Sequence, residues 1–215
     1  MQPNQWEVLV LKPTPTFIPF LQSHFQDVPL PEFKLLQTDN TGYVIQKQNT
    51  EEALLDEIES QYLKMFRFEI KRWLKESVQS DIQVSFLDFL CCFKFELHSH
   101  MVLMEDALID GRQMICLKPR STLLKWIQSK YAEIDFEVVT DLHVSQLAEN
   151  GTVIVKNIEN VYDVKPFLRL HYYTMFEAEM RRMCGEFSEA LNVDSYQMFC
   201  RYFMVEYHSQ LVHLT

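Results

Sequence analysis

Glycine is scarce in this chain. Four glycines, Gly42, Gly111, Gly151 and Gly185, are spread over 215 residues and form no cluster. A phosphate-cradling or dinucleotide loop needs several glycines close together, so those nucleotide-binding classes are excluded. Paired cysteines are also missing. Cys91, Cys92, Cys116, Cys184 and Cys200 are odd in number, sit in apolar runs and show no C-x-x-C spacing. A reduced, cytoplasmic setting is expected. No run of eighteen apolar residues occurs, so no direct membrane insertion is expected. The start, MQPNQWEVLV, lacks the basic flank and apolar core of a signal peptide. Positive charge is in deficit as well. Twenty Lys and Arg face thirty Asp and Glu, a net charge of −10. Nucleic-acid phosphates would be repelled, so no nucleic-acid partner is expected.

What is present describes a packed, helix-rich chain. The composition is 47% hydrophobic and 13% aromatic. A chain of this size buries a sizeable core without staples. The strongest internal signal is a repeat. MFRFEIKRWL at Met65–Leu74 returns as MFEAEMRRMC at Met175–Cys184. The same shift of 110 positions carries Tyr62 to Tyr172, Glu69 to Glu179, Arg72 to Arg182, and Phe89 to Phe199. It also carries Glu96, His98, Ser99 and Val102 to Glu206, His208, Ser209 and Val212. Upstream, TGYVIQK at Thr41–Lys47 matches NGTVIVK at Asn150–Lys156, and VLVLKP at Val8–Pro13 matches MICLKP at Met114–Pro119. Four blocks in one order point to tandem duplication, with units at 1–110 and 111–215 forming one body. A period this long is not a solenoid. It implies two equivalent units packed as a pseudo-dimer.

Each unit reads as β-α-β-α-α. Strands are expected at WEVLVL and MICL, stopped by Lys-Pro, and at GYVIQK and GTVIVK. Short helices are expected at about Thr16–Phe25 and Ser121–Tyr131. A longer helix starts at an N-cap Thr50, with Leu55, Ile58, Tyr62, Met65, Phe66, Ile70 and Trp73 along one face. Its counterpart has Pro166 in the first turn and Tyr172, Phe176, Met180 and Met183 as its stripe. A final helix is expected at about Ile82–Met104 and again at Ser195–Leu214. The fold class is α+β, helix-dominated, with a small sheet in each unit.

Candidate chemistry is thin. Glu96-x-His98-Ser99 and Glu206-x-His208-Ser209 suggest a hydrolase set. On a helix, however, positions i and i+2 point about 200° apart, which argues against it. The same spacing bars His98 and His100 from joint chelation, and Cys91-Cys92 reads as core. No catalytic, cofactor-binding or metal residues are therefore assigned, and no enzyme is expected. Arg67, Lys71, Arg72, Arg181 and Arg182 are the densest basic spots. They read as a solvated face, or as arginines bridging the halves, with Glu69/Arg72 and Glu179/Arg182 favouring an internal role. Acidic residues cluster over Thr50–Ser60 and at Glu133, Asp135, Glu137 and Asp141. They suit either solubility or the rim of a groove for a basic amphipathic helix. Ten methionines fit an adaptable surface or a core.

The blocks LQTDNTGYVIQKQ, MFRFEIKRWL, SFLDFLCCFKFELHSH and SQLAENGTVIVKN resemble the LvgA-like acidic adaptors of the Legionella Dot/Icm type IV secretion system. The resemblance implies a non-enzymatic adaptor or secretion chaperone linked to virulence. Its partners would be the C-terminal tail of the coupling ATPase DotL, the chaperones IcmS and IcmW, and effector proteins selected for export. From the residues alone, two alternatives stay open. One is a small cytosolic enzyme with a site between the two repeats. The other is a permanent structural subunit.

Overall fold

The computed structural model describes residues 5–25, 28–74, 82–104, 112–130, 151–158, 160–184 and 193–214. The first half contributes β1 (Trp6–Pro13), α1 (Phe17–His24), α2 (Phe33–Thr38), β2 (Thr41–Gln46), α3 (Glu51–Leu74), α4 (Phe86–Cys92), β3 (Phe93–His98) and β4 (Met101–Leu103). The second contributes β5 (Arg112–Pro119), α5 (Ser121–Lys130), β6 (Val153–Lys156), α6 (Val164–Cys184), α7 (Tyr196–Tyr202) and β7 (Phe203–His213).

The final helices expected at Ile82–Met104 and Ser195–Leu214 are corrected. Each is a seven-residue helix that passes directly into a strand. The reason is a change of period at Phe93. Phe93, Phe95 and Leu97 alternate with Lys94, Glu96 and His98, a spacing of two that suits a half-buried strand. Among the described residues the second half therefore runs β-α-β-α-α-β. The α2 turn, inside a stretch expected to be irregular, is an addition to the first half.

All seven strands join one mixed sheet, in the order β3-β1-β2-β7-β5-β6-β4. This replaces the expected small sheet per unit. β1 lies antiparallel between β2 and β3, and β5 lies antiparallel between β6 and β7. The halves meet through two parallel pairings, β2 with β7 and β4 with β6. The end positions, β3 and β4, are separated in sequence only by Ser99 and His100. The sheet thus curls round, and each half's last strand finishes alongside the other half.

Strand alternation sorts the core into three. Leu9, Leu11, Tyr43 and Ile45 face outward under α1–α4, with Phe17, Phe66 and Phe89. Ile115, Leu117 and Ile154 face outward under α5–α7, with Phe176 and Phe199. The concave side holds Val8, Val10, Val44, Met101, Met114, Cys116, Val153, Val155 and Leu211, drawn from both halves. Gly42 faces this inner core. A Cβ there would stand 2.4 Å from Met114 Sδ and 3.0 Å from Leu211 Cδ1. The glycine lets the flexible end of the Met114 side chain lie close against β2, and a larger residue would push that end aside.

The other expected helices are in place. Thr50 caps α3 by accepting from the Ala53 N–H at 3.1 Å, and Ile58, Met65, Phe66 and Ile70 are its buried face. Leu55, expected on that face, is 47% exposed. No helix among the described residues is long and apolar enough to cross a membrane.

Candidate functional site

On a strand, residues i and i+2 share a face. The helical argument that kept Glu96 from His98 is therefore overturned, and both point into the concave side. Register completes the arrangement. Val10 lies opposite Glu96 and Val8 opposite His98, while Cys116 lies opposite Glu206 and Met114 opposite His208. Lys12 and Lys118 project on the same face, at the far ends of β1 and β5.

These side chains form one charged cluster at the junction of the halves. Lys118 Nζ lies 2.6 Å from Glu96 Oε1 and 2.9 Å from Glu206 Oε2. Lys12 pairs with Glu96 and reaches Glu206 Oε2 at 3.3 Å. Each lysine thus touches both carboxylates, one from each half. The side chains of Glu96 and Lys118 are nearly buried, whereas those of Lys12 and Glu206 are 30% and 26% exposed and mark the open end. Burial opposes ionisation of Glu206, but its two lysine partners and the nearby His208 hold the carboxyl well below its usual range. Lys118 is pushed up by the carboxylates despite burial.

The two histidines lie one layer deeper and are wired in opposite senses. His98 Nδ1 bonds to the Gly151 carbonyl, so that nitrogen carries the proton. His208 Nδ1 accepts from the Asn40 N–H at 3.0 Å, so its proton sits on Nε2, 3.7 Å from Glu206 Oε2. Burial pushes the His98 imidazole down to about 4. His98 and His208 are 0% and 1% exposed.

Neither serine completes a hydrolase set. Next to an inward histidine, a strand residue points outward. Ser209 donates its hydroxyl to Asp39 Oδ2 at 2.6 Å and its N–H to Asp39 Oδ1 at 2.7 Å. Arg72 joins them, 2.7 Å from Asp39 Oδ2, 2.7 Å from Thr41 Oγ1 and 3.3 Å from Ser209 Oγ. An arginine bridging the halves is therefore present in Arg72. Arg182 stays within its half and grips Glu179 at 2.8 and 3.1 Å. Arg67, Lys71 and Arg181 are exposed.

Cys92 and Cys116 are buried free thiols, and burial pushes Cys92 up to about 12. That suits packing rather than nucleophilic work. Among the described residues, no group of three or more His, Cys, Asp or Glu side chains is arranged to hold a metal ion.

Apolar side chains also shape two places on the outside of the sheet and helices. A groove of about 370 Å³ runs between the first turns of α3 and the outer face of β1 and β3. On α6 and the turn before it, Tyr162, Leu170 and Tyr173 are 82%, 77% and 42% exposed. The acidic run at Thr50–Ser60 lies on α3 and is largely exposed, while Glu133, Asp135, Glu137 and Asp141 lie outside the described residues.

Sequence reasoning missed Lys12, Lys118, Asp39 and Tyr43. A signal for the lysines existed. Leu-Lys-Pro closes an apolar strand in both halves, and a lysine repeated there calls for a buried partner. No family model, curated protein or solved structure matches the chain.

Proposed function

We propose that the chain is a non-enzymatic adaptor or secretion chaperone that binds other proteins. We also infer that it is a tandem pair of related units, 1–110 and 111–215, set about an approximate two-fold axis. The duplication reading is supported by the paired roles of Lys12 and Lys118, Glu96 and Glu206, and His98 and His208. The observation that carries the adaptor reading is apolar surface left uncovered on both long helices. Leu55 on α3 and Leu170 and Tyr173 on α6 are large side chains exposed by 42% or more. Large apolar side chains left uncovered on the two long helices are places for a partner. The resemblance to LvgA-like adaptors points to a coupling ATPase tail, IcmS- and IcmW-like chaperones and exported effectors as partners, in the cytoplasm.

An enzyme with a site between the halves is the second reading, favoured by the convergence of Glu96, Glu206, His98 and His208. It is the weaker one. Both carboxylates are neutralised by lysines, and neither imidazole is exposed to a substrate. A variant with His98→Ala and His208→Ala that stays folded and keeps full cellular function removes it.

The test of the adaptor reading is copurification from the native host at moderate salt, with mass spectrometry and sizing of the product. A coupling ATPase with small acidic chaperones at fixed stoichiometry is the expected result. Recovery of the chain alone overturns the reading.

A further inference from the structure

We propose that the groove between the start of α3 and the outer face of β1 and β3 is a docking site for a basic amphipathic segment of another protein. This rests on the adaptor reading and gives it a place and a chemistry.

Leu9, Phe95 and Leu97 form the floor of the groove, and Leu54, Leu55 and Ile58 form its wall. Leu9, Phe95 and Leu97 stand on the outward face of neighbouring strands, while Ile58 reaches down to them from the helix. Leu55 is the outlier. It falls on the apolar stripe of α3, yet it is 47% exposed, because the sheet beneath offers a trough rather than a packed surface.

The rim carries one sign of charge. Glu51 stands at the mouth. Glu52 and Glu59 flank Leu55 at spacings of three and four along the helix, and both are exposed. A partner would therefore need large aliphatic side chains on one face and Lys or Arg beside them. An amphipathic helix or short strand with basic flanks supplies both. A small polar ligand fits less well. Among the described residues, Glu51 is the one polar side chain lining the groove, and they offer no convergent set of donors to orient one. The exposed face of α6, where Leu170 lies beside Arg169 and near Lys165, has the matching chemistry in this same chain. A second copy is thus the rival occupant.

The test uses the full chain and a fluorescent synthetic peptide with leucines at i, i+3, i+4 and i+7 and lysines elsewhere. A twin peptide carries glutamates in place of the lysines. Anisotropy is measured against protein concentration at several salt concentrations. The lysine peptide is expected to saturate at one per chain, and the glutamate twin to bind far more weakly. Leu55→Lys should weaken the lysine peptide roughly tenfold or more, as loss of an anchor side chain does. Leu87→Lys, a substitution of a 69% exposed leucine on α4, should leave it unchanged. Added salt should weaken binding without abolishing it, since screening acts on the rim and not on the apolar contact.

Equal effects of Leu55→Lys and Leu87→Lys would mean that the peptide reads net charge alone, and would overturn the groove assignment. So would absence of binding by a chain that still copurifies with its partners, which leaves the adaptor reading standing. An oligomer of the free chain that Leu55→Lys dissolves would assign the groove to a second copy and overturn a foreign occupant.

Discussion

Glu69 on α3 and Glu179 on α6 occupy matching positions in the two halves, and both are almost wholly buried, at 2% and 0% exposure. Their surroundings differ. Glu69 accepts from the Tyr43 hydroxyl at 2.9 Å and the Trp73 indole at 3.1 Å. Burial raises its pKa, with Arg72 and the hydrogen bonds pulling the other way. Glu179 accepts from the Thr152 N–H and from the Arg182 guanidinium. Thr152 stands where the first half has Tyr43. Without a phenol to donate, the second half compensates its carboxylate with a full positive charge. The first half, supplied by phenol and indole, leaves Arg72 free to reach Asp39 and Ser209 across the junction. One buried acid is thus met by neutral donors and the other by an ion pair. The neutral solution lets the arginine serve as a clasp between halves.

The largest expected effect probes whether the halves are one cooperative body. Phe66 packs against Phe17, Phe20, Phe89 and Phe93, and Phe176 against Trp126 and Phe203. Truncating either to alanine should cost roughly 3–5 kcal/mol. Because the halves share one sheet and an inner core, both variants should shift a single urea transition. Two separate transitions would break the comparison and show that the halves unfold independently.

Next comes acid. His98 faces Glu96, Lys118 and His208, and bonds Gly151. Its imidazole is held near 4 in the fold, against an ordinary value of 6.5. The unfolded chain therefore binds a proton that the fold refuses. Stability should fall as pH drops from 6.5 towards about 4, by on the order of 3 kcal/mol. Glu206, held low by its partners, adds a second loss below its ordinary 4.5. His98→Gln should flatten the urea midpoint between pH 6.5 and 5 and leave the lower loss in place. An unchanged profile would remove His98 as the cause.

How much of this was legible from the residues follows the same local logic. The long helices α3 and α6 repeat apolar residues at three and four, and their ends carry Thr50 and Pro166, so both could be read. So could β1, β2, β5 and β6, which are short apolar runs bounded by proline or glycine. The last strands could not. In FLDFLCCFKFEL the apolar residues satisfy a helix up to Cys92 and a strand from Phe93, with no glycine or proline at the join. Reading it as one helix put Glu96 and His98 on opposite faces and hid the charged cluster. Even with the period right, pairing of Lys12 and Lys118 with both glutamates needs the curled sheet, which brings residues nearly two hundred positions apart into contact.

The buried acids give a third test. Glu179→Gln leaves Arg182, half-buried, without its counter-charge, and should cost roughly 3 kcal/mol. Glu69→Gln keeps an oxygen that can still accept from Tyr43 or Trp73, and should cost nearer to about 1 kcal/mol. Chemical denaturation of the pair at pH 7 measures the gap. Equal losses would mean that Arg72 supports Glu69 as firmly as Arg182 supports Glu179.

The smallest effect lies at the caps of the short helices. Ser85 begins α4 with a reciprocal box. Its hydroxyl accepts from the Asp88 N–H at 3.1 Å, and Asp88 Oδ2 accepts from the Ser85 N–H at 3.2 Å. Ser195 begins α7 with the forward bond alone, to the Met198 N–H at 3.2 Å, since methionine cannot return it. Ser85→Ala should cost about 1–2 kcal/mol and Ser195→Ala about 0.5–1 kcal/mol. The Ser85 hydroxyl and N–H also hold the Asp88 carboxyl below its usual range, so the first cap weakens in acid and the second does not. Amide exchange at Asp88 and Met198, followed from pH 7 to pH 4, separates them. Acid should speed the opening of α4 relative to α7, and equal rates would show that the reciprocal bond adds nothing to the cap.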